Sequence, residues 1–140
     1  MEYLVESALL THGLKSVSNE TIKKEWQDPG KKITWIDHGE IRIGDIDEFL
    51  EVKSRASAYP RIDCDLLEKA LVEKQSGALT ASGTMAVCVK MGIPVAITCG
   101  MGGIGDIKGE ELCPDLPALQ QIPVVLISAG PKDMLDRKAT

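Results

Sequence analysis

The stretch "SGTMAVCVKMGIPVAIT", residues 82–98, decides the fold. Its first part is built of small and apolar residues with no polar face, as in a buried helix, and Gly92 supplies the exit that commonly closes one. "IPVAIT", residues 93–98, follows without a break and is apolar at every position but the last. Such a run marks a strand covered on both faces. The pattern returns at "IPVVLISAG", residues 122–130, after the short helix-like "PDLPALQQ", residues 114–121. Two apolar strands joined through helix-compatible segments favour parallel central strands with helices above and below. The expectation is one α/β domain over residues 1–140, a three-layer α/β/α arrangement with a mixed, mainly parallel central sheet.

Toward the N-terminus the elements alternate. "YLVESALL" (3–10) reads as a short apolar strand. "NETIKKEWQDPG" (19–30) reads as a helix capped by Ser18 or Asn19 and ended by Pro29-Gly30. "KKITWIDHGEIRIG" (31–44) alternates with period two around Asp37-His38-Gly39-Glu40, which predicts a hairpin. "DIDEFLEVKSRASA" (45–58) predicts an amphipathic helix with Asp45 at its mouth and Ile46, Phe49, Leu50 and Val52 inward. "DCDLLEKALVEKQSG" (63–77) repeats the pattern with Leu66, Leu67, Ala70 and Leu71 on one face and Ser76-Gly77 as the stop.

Composition narrows the function classes. With 44% hydrophobic and 26% charged residues the chain is neither disordered nor membrane-like. No apolar run reaches about 18 residues, and Glu2 argues against a basic signal-peptide start, so the expected location is the cytoplasm and no membrane partner is expected. A net charge of -5 leaves no basic surface for nucleic acid, although a small anionic ligand needs only local donors. The cysteines at 64, 88, 99 and 113 lack zinc-ribbon spacing and suit reduced core thiols. His12 reads as a turn residue and His38 as hairpin surface, which leaves little room for a histidine-rich metal site.

Ligands of open α/β sheets sit outside the carboxyl ends of the strands. After "IPVAIT" comes "CGMGGIGDIKG", residues 99–109, whose glycines can present backbone N–H groups to an oxyanion or equally allow tight packing. It is neither a Walker motif nor a dinucleotide fingerprint. Asp115 opens the next helix, where a capping carboxylate is ordinary. The following strand then returns the chain to the same edge, so Asp115 and Lys132 of "ISAGPKDMLD" (127–136) are expected together. Lys132 is either a solvated cation or, if desolvated, a nucleophile for a carbonyl carbon. Glu6 has apolar neighbours at Val5, Ala8, Leu9 and Leu10, so it is expected to be partly buried at the sheet's edge. It is then a general acid or the partner of Arg61 or Lys132.

The ordered blocks "ESALLTHG", "ITWIDHGEIRIG", "ASGTMAVCVKMGIPVAITCGMGGIG", "PDLPAL" and "VVLISAGPKDMLD" resemble pseudouridine-5'-phosphate glycosidase and the related indigoidine synthase A-like proteins, over nearly all 140 residues. The resemblance implies hydrolysis, or in reverse formation, of the C–C glycosidic bond between uracil and ribose 5-phosphate, with a divalent ion such as Mn2+ and a trimeric assembly. It gives Lys132 the place of the lysine that forms an imine with C1 of the opened ribose. Asp115 takes the place of the aspartate that holds the metal through water, and Glu6 that of the glutamate that moves protons. Arg61 falls near the sugar phosphate. Thr98, Gly100, Gly102 and Gly103 occupy the ligand-side loop, Lys108 stands where a basic residue would be useful, and Ser128 precedes the lysine. The chain departs from the family at Ile104-Gly105-Asp106, where a histidine-arginine pair is expected, and in length, since full members are about twice as long. The alternatives are therefore a glycosidase or lyase completed by a partner subunit, a non-catalytic binder of sugar phosphate or nucleotide, or a structural oligomerisation domain. A homo-oligomer is expected in each case.

Overall fold

The computed structural model describes residues 2–28, 30–102, 113–131 and 138. The first strand, β1 (Tyr3–Glu6), leads through a single π-helical turn (Leu9–Gly13) into helix α1 (Asn19–Glu25). Ser18 caps α1, its Oγ accepting from the Thr21 N–H at 3.2 Å. The helix stops at Glu25, before Pro29-Gly30. Strands β2 (Lys32–Asp37) and β3 (Glu40–Gly44) pair antiparallel from Ile33↔Gly44 to Asp37↔Glu40. His38 and Gly39 turn the corner with φ of 51° and 78°. Two positive φ values are what a two-residue hairpin turn of the primed type requires. His38 is solvent-facing, as the sequence predicts.

Helix α2 (Ile46–Ala56) buries Ile46, Phe49, Lys53 and Ala56, a stripe at helical spacing. Phe49 meets Trp35 edge to face at 5.3 Å between centroids. Leu50 and Val52, expected inward, are only partly buried against this cluster. Strand β4 (Arg61–Ile62), helix α3 (Leu67–Val72) and strand β5 (Gly77–Leu79) follow. Here the sequence reading needs correction. Leu66 is exposed rather than inward, and Gly77 does not end a helix but begins β5. A Cβ on Gly77 would meet the Ile62 side chain, so glycine there serves close strand packing.

Helix α4 (Ala81–Met91) is buried over most of its length and ends on Gly92 at φ 68°, as expected. Strand β6 (Val95–Ile97) and strand β8 (Val125–Ile127) lie side by side in parallel register. Between them come the two-residue strand β7 (Gly100–Met101) and helix α5 (Asp115–Gln121), and β8 leads to β9 (Gly130–Pro131), which pairs with β7. The main sheet runs β4-β5-β2-β1-β6-β8, with β3 on β2. β2 pairs with β1 over Lys32–Thr34 and with β5 over Trp35–Ile36, so the sheet changes partner partway along one strand. The fold is α/β with a mixed, mainly parallel sheet. β8, however, is not covered on both faces: Val125 and Ile127 are 61% and 53% exposed. Among the described residues no cysteine is in a disulfide, and only Cys88 is a core thiol. Burial pushes it up to about 11.

Candidate functional site

A cavity of about 480 Å³ opens at the carboxyl ends of the parallel strands. That is where an open α/β sheet places its ligands, and the volume is that of a small-molecule pocket. β1 brings Glu6, β4 brings Arg61 and then Asp63, the start of α4 brings Thr80 and Ala81, and the chain after β6 brings Cys99 and Gly100. Asp115 closes the wall from the start of α5.

Glu6 sits on an interior strand, between β2 and β6. It is 7% exposed and has interaction partners. Glu6 therefore stands at the carboxyl end of a central strand, and it is more fully buried than the partial burial expected. Asp115 is 6% exposed. Pro114, not Asp115, holds the capping position of α5. The Asp115 carboxylate reaches sideways instead. Its Oδ1 accepts from the Ser82 N–H and its Oδ2 from the Gly102 N–H, both at 3.0 Å. One side chain thus satisfies an amide in the first turn of α4 and pins the chain after β7. Bonds from amides to a charged acceptor are the strong class of hydrogen bond. Gly102 fits this contact because a Cβ there would meet Cys113 and come within 3.1 Å of Asp115 Oδ2.

The remaining expected site residues divide into groups. Gly100 lines the cavity and pairs with Gly130. Gly102 stands behind it, donating to Asp115. Thr98 is buried at the end of β6, its N–H donating to Ile127 O at 2.9 Å, and its hydroxyl has no hydrogen-bond partner among the described residues. Ser128 does not line the cavity. Its Oγ lies 3.0 Å from Cys99 O and accepts from the Gly130 N–H at 3.0 Å, shaping the turn into β9. Gly103, Lys108 and Lys132 lie outside the described residues. Pro131, the residue before Lys132, pairs with Met101.

Sequence reasoning passed over Asp63, Thr80 and Cys99. Thr80 was discoverable, since its Oγ accepts from the Gly83 N–H at 3.3 Å in an ordinary N-cap. Asp63 depends on β4, too short to be read from a pattern. His12, expected in a turn, lies in the π-helical turn with Nε2 3.0 Å from Tyr59 O and Nδ1 2.9 Å from Thr11 Oγ1. A carbonyl only accepts, so the Nε2 atom carries the proton. Desolvation, then the Arg61 guanidinium, holds the His12 imidazole below its usual range. That favours a neutral ring beside a cationic Arg61.

Among the described residues no group of three or more His, Cys, Asp or Glu side chains could hold a metal ion. Both Asp115 oxygens already accept an amide each, leaving lone pairs for water rather than a cage of protein ligands. Such a donor set fits a hard, hydrated divalent ion held through water and one carboxylate.

An α/β chain with its cavity at the strand ends, floored by a buried glutamate and walled by an aspartate and an arginine, has the layout of a small-molecule site. The chain belongs to the Indigoidine synthase A like protein family, whose profile matches residues 4–140. It is similar to the pseudouridine-5'-phosphate glycosidase of Thermus thermophilus, 33% identical over 97% of this chain and 50% of the relative. It is likewise 33% identical to the corresponding protein of Glaesserella parasuis, over 97% of this chain and 48% of that one. The prealnumycin C-glycosynthase AlnA, solved with ribulose 5-phosphate, superposes with a TM-score of 0.78 at 26% identity, over 97% of this chain and 46% of that one. An indigoidine synthase A-like protein of Thermotoga maritima shares the fold, with a TM-score of 0.82 at 24% identity, over 99% and 49%. The chain spans about half the length of these curated relatives and solved structures. No helix among the described residues is long and apolar enough to cross a membrane.

Proposed function

We propose that this chain binds ribose 5-phosphate or a C-glycoside of it, such as pseudouridine 5'-phosphate, at the carboxyl-end cavity and supplies the groups that make or break the bond at C1. The observation that carries this reading is the meeting of Glu6, from the first strand, with Asp115, from the helix before the last parallel strand, in one cavity beside Arg61. Relatives matched along 97% of the chain carry the name of a glycosidase acting on that compound.

In this reading the neutral Lys132 amine attacks C1 of the opened sugar. The carbonyl oxygen leaves as water, and the nitrogen and C1 share a double bond. Glu6 holds the proton that moves to or from the reacting centre, a role suited to a carboxyl taken out of water. Arg61 attracts the phosphate with an always-charged fork of donors. A divalent ion, with Mn2+ the expected one, would be oriented by Asp115 through water and would lower the negative field that otherwise keeps a lysine protonated. The expected homo-oligomer, a trimer by family likeness, or a separate partner supplying the remaining half would close the site. A cytoplasmic location follows the same likeness.

Borohydride reduction of the chain with ribose 5-phosphate tests the imine. Hydride converts the C=N bond to a stable secondary amine, so intact mass should rise by one sugar. Lys132→Met should show no rise while keeping the same unfolding midpoint. Tight binding of ribose 5-phosphate without adduct would favour the second reading, a non-catalytic sugar-phosphate binder. Absence of both adduct and binding would sink both.

A further inference from the structure

We infer that a crevice on the far side of the π-helical turn is a second anion site, selective for a tetrahedral oxyanion such as phosphate. The crevice, about 280 Å³, lies between that turn, the start of α1 and the last turns of α2. Its lining includes Lys15 and Lys53 together with Thr11, Ser18, Ser54 and Ser57, and no carboxylate residue. In a chain of net charge -5, a concavity that gathers two cations and no anion is a departure from the general surface.

Lys53 is the decisive group. It is 8% exposed, on the buried stripe of α2. Its ammonium donates to Val17 O at 3.0 Å, and among the described residues it has neither another hydrogen bond nor an ion pair. An ammonium carries three donors, so two N–H groups of this crevice-lining lysine have no protein acceptor among the described residues. Buried charges are ordinarily paired. A structural role alone, tying α2 to the loop before α1, would use the Val17 contact and would be met as well by a neutral donor. The positive charge is left over. An oxyanion in the crevice would accept the two spare N–H groups, gain the Lys15 charge at the exposed rim and meet Ser54, whose Oγ has no partner among the described residues.

At about 280 Å³ the crevice is near the lower end of small-molecule sites, which suits a ligand as small as one phosphate. The site is separate from the carboxyl-end cavity, which is lined by other residues of the same π-helical turn, Leu9 and Gly13, while the crevice is lined by Thr11. An anion held here would therefore sit behind a wall of the main cavity.

Amide NMR of the full chain, titrated with sodium phosphate against sodium chloride at equal ionic strength, tests the inference. Phosphate should shift the amides of residues 15–19 and 53–57, saturably, and chloride should not. Lys15→Glu, at an exposed position, should weaken that binding about tenfold, roughly 1.4 kcal/mol, without changing stability. Lys53→Met should abolish it, and Arg61→Met, in the other cavity, should leave it intact. Ribose 5-phosphate is the second ligand. Shifts at 15–19 and 53–57 with both ligands would show that the crevice takes a phosphoryl group in either form, and shifts there with phosphate alone would restrict it to the free ion. Phosphate shifts confined to residues 61–63, 80–82 and 99–102, equal shifts with chloride, or unchanged affinity in Lys15→Glu would each overturn the proposal.

Discussion

Helices α2 and α4 solve the same problem at their N-termini in opposite ways. At α2 the solution is local. Asp45 Oδ1 accepts from the Glu48 N–H at 3.0 Å, and Glu48 Oε2 accepts from the Asp45 N–H at 2.9 Å, a complete capping box within four residues. At α4 the cap is split. Thr80 takes the Gly83 N–H, but the Ser82 N–H is met by Asp115, 33 residues further along the chain. The other Asp115 oxygen holds Gly102. A local cap stabilises its helix and nothing else. A remote cap also fixes the mutual positions of α4, the chain after β7 and α5, and the starts of α4 and α5 are walls of the cavity. The local cap thus serves α2 alone, whereas the remote cap ties together segments around the candidate site.

Removing Asp115 should break this arrangement most severely. Asp115→Ala leaves two buried amides without acceptors, each a loss of about 1–3 kcal/mol, so urea denaturation should show a fall of about 2–6 kcal/mol. A fall below about 0.5 kcal/mol would mean the remote cap is incidental. Gly83→Ala comes next. Alanine is normally the better helix former by about 1 kcal/mol, yet a Cβ at Gly83 would run into the Ile62 carbonyl and approach Leu79. Overpacking of this kind should reverse the sign, to a loss of about 1–3 kcal/mol; a stabilised variant would show that α4 is free to move away from β4.

Asp45→Ala sharpens the contrast from the other side. It should lower stability by about 1 kcal/mol and leave ribose 5-phosphate affinity unchanged, whereas Asp115→Asn, which keeps the shape and loses the charge, should weaken both. The smallest effect is expected at His12. Its folded-state imidazole titrates below its usual value because of desolvation and then Arg61. The unfolded chain therefore takes up this proton first as pH falls. The contribution is complete above about pH 6.5 and declines as pH falls from there toward the lower folded value. His12 is only partly buried, so solvent screening makes this change shallow. His12→Gln, which can still donate to Tyr59 O, should flatten the stability curve between pH 7 and pH 5.

The same contrast governs how much could be read from the sequence. The hairpin was legible because Asp37-His38-Gly39 is a short-range turn signal, and α2 because its cap and its apolar stripe are both local. The exit of α4 on Gly92 and the parallel pair β6 and β8 were legible from composition. β4 and β5 were not. They are two and three residues long, and Gly77 looks like a helix stop until Ile62 is packed against it. The exposure of Val125 and Ile127 was also hidden, since an apolar strand reads the same whether or not a layer covers it. At the site, Asp115 was legible as a helix opener but not as a tie between three segments, because its partners are backbone amides that carry no sequence signature. Lys53 was missed because a lysine on an amphipathic helix is ordinarily a solvated face.

Deuterium exchange of the chain with and without ribose 5-phosphate tests most directly whether the cavity tied together by Asp115 is the sugar-phosphate site. Slower exchange is expected at residues 61–63, 80–82 and 99–102, reduced in Arg61→Met and unchanged in Asp45→Ala. Protection that appears elsewhere, or that survives unaltered in Asp115→Ala, would contradict the account.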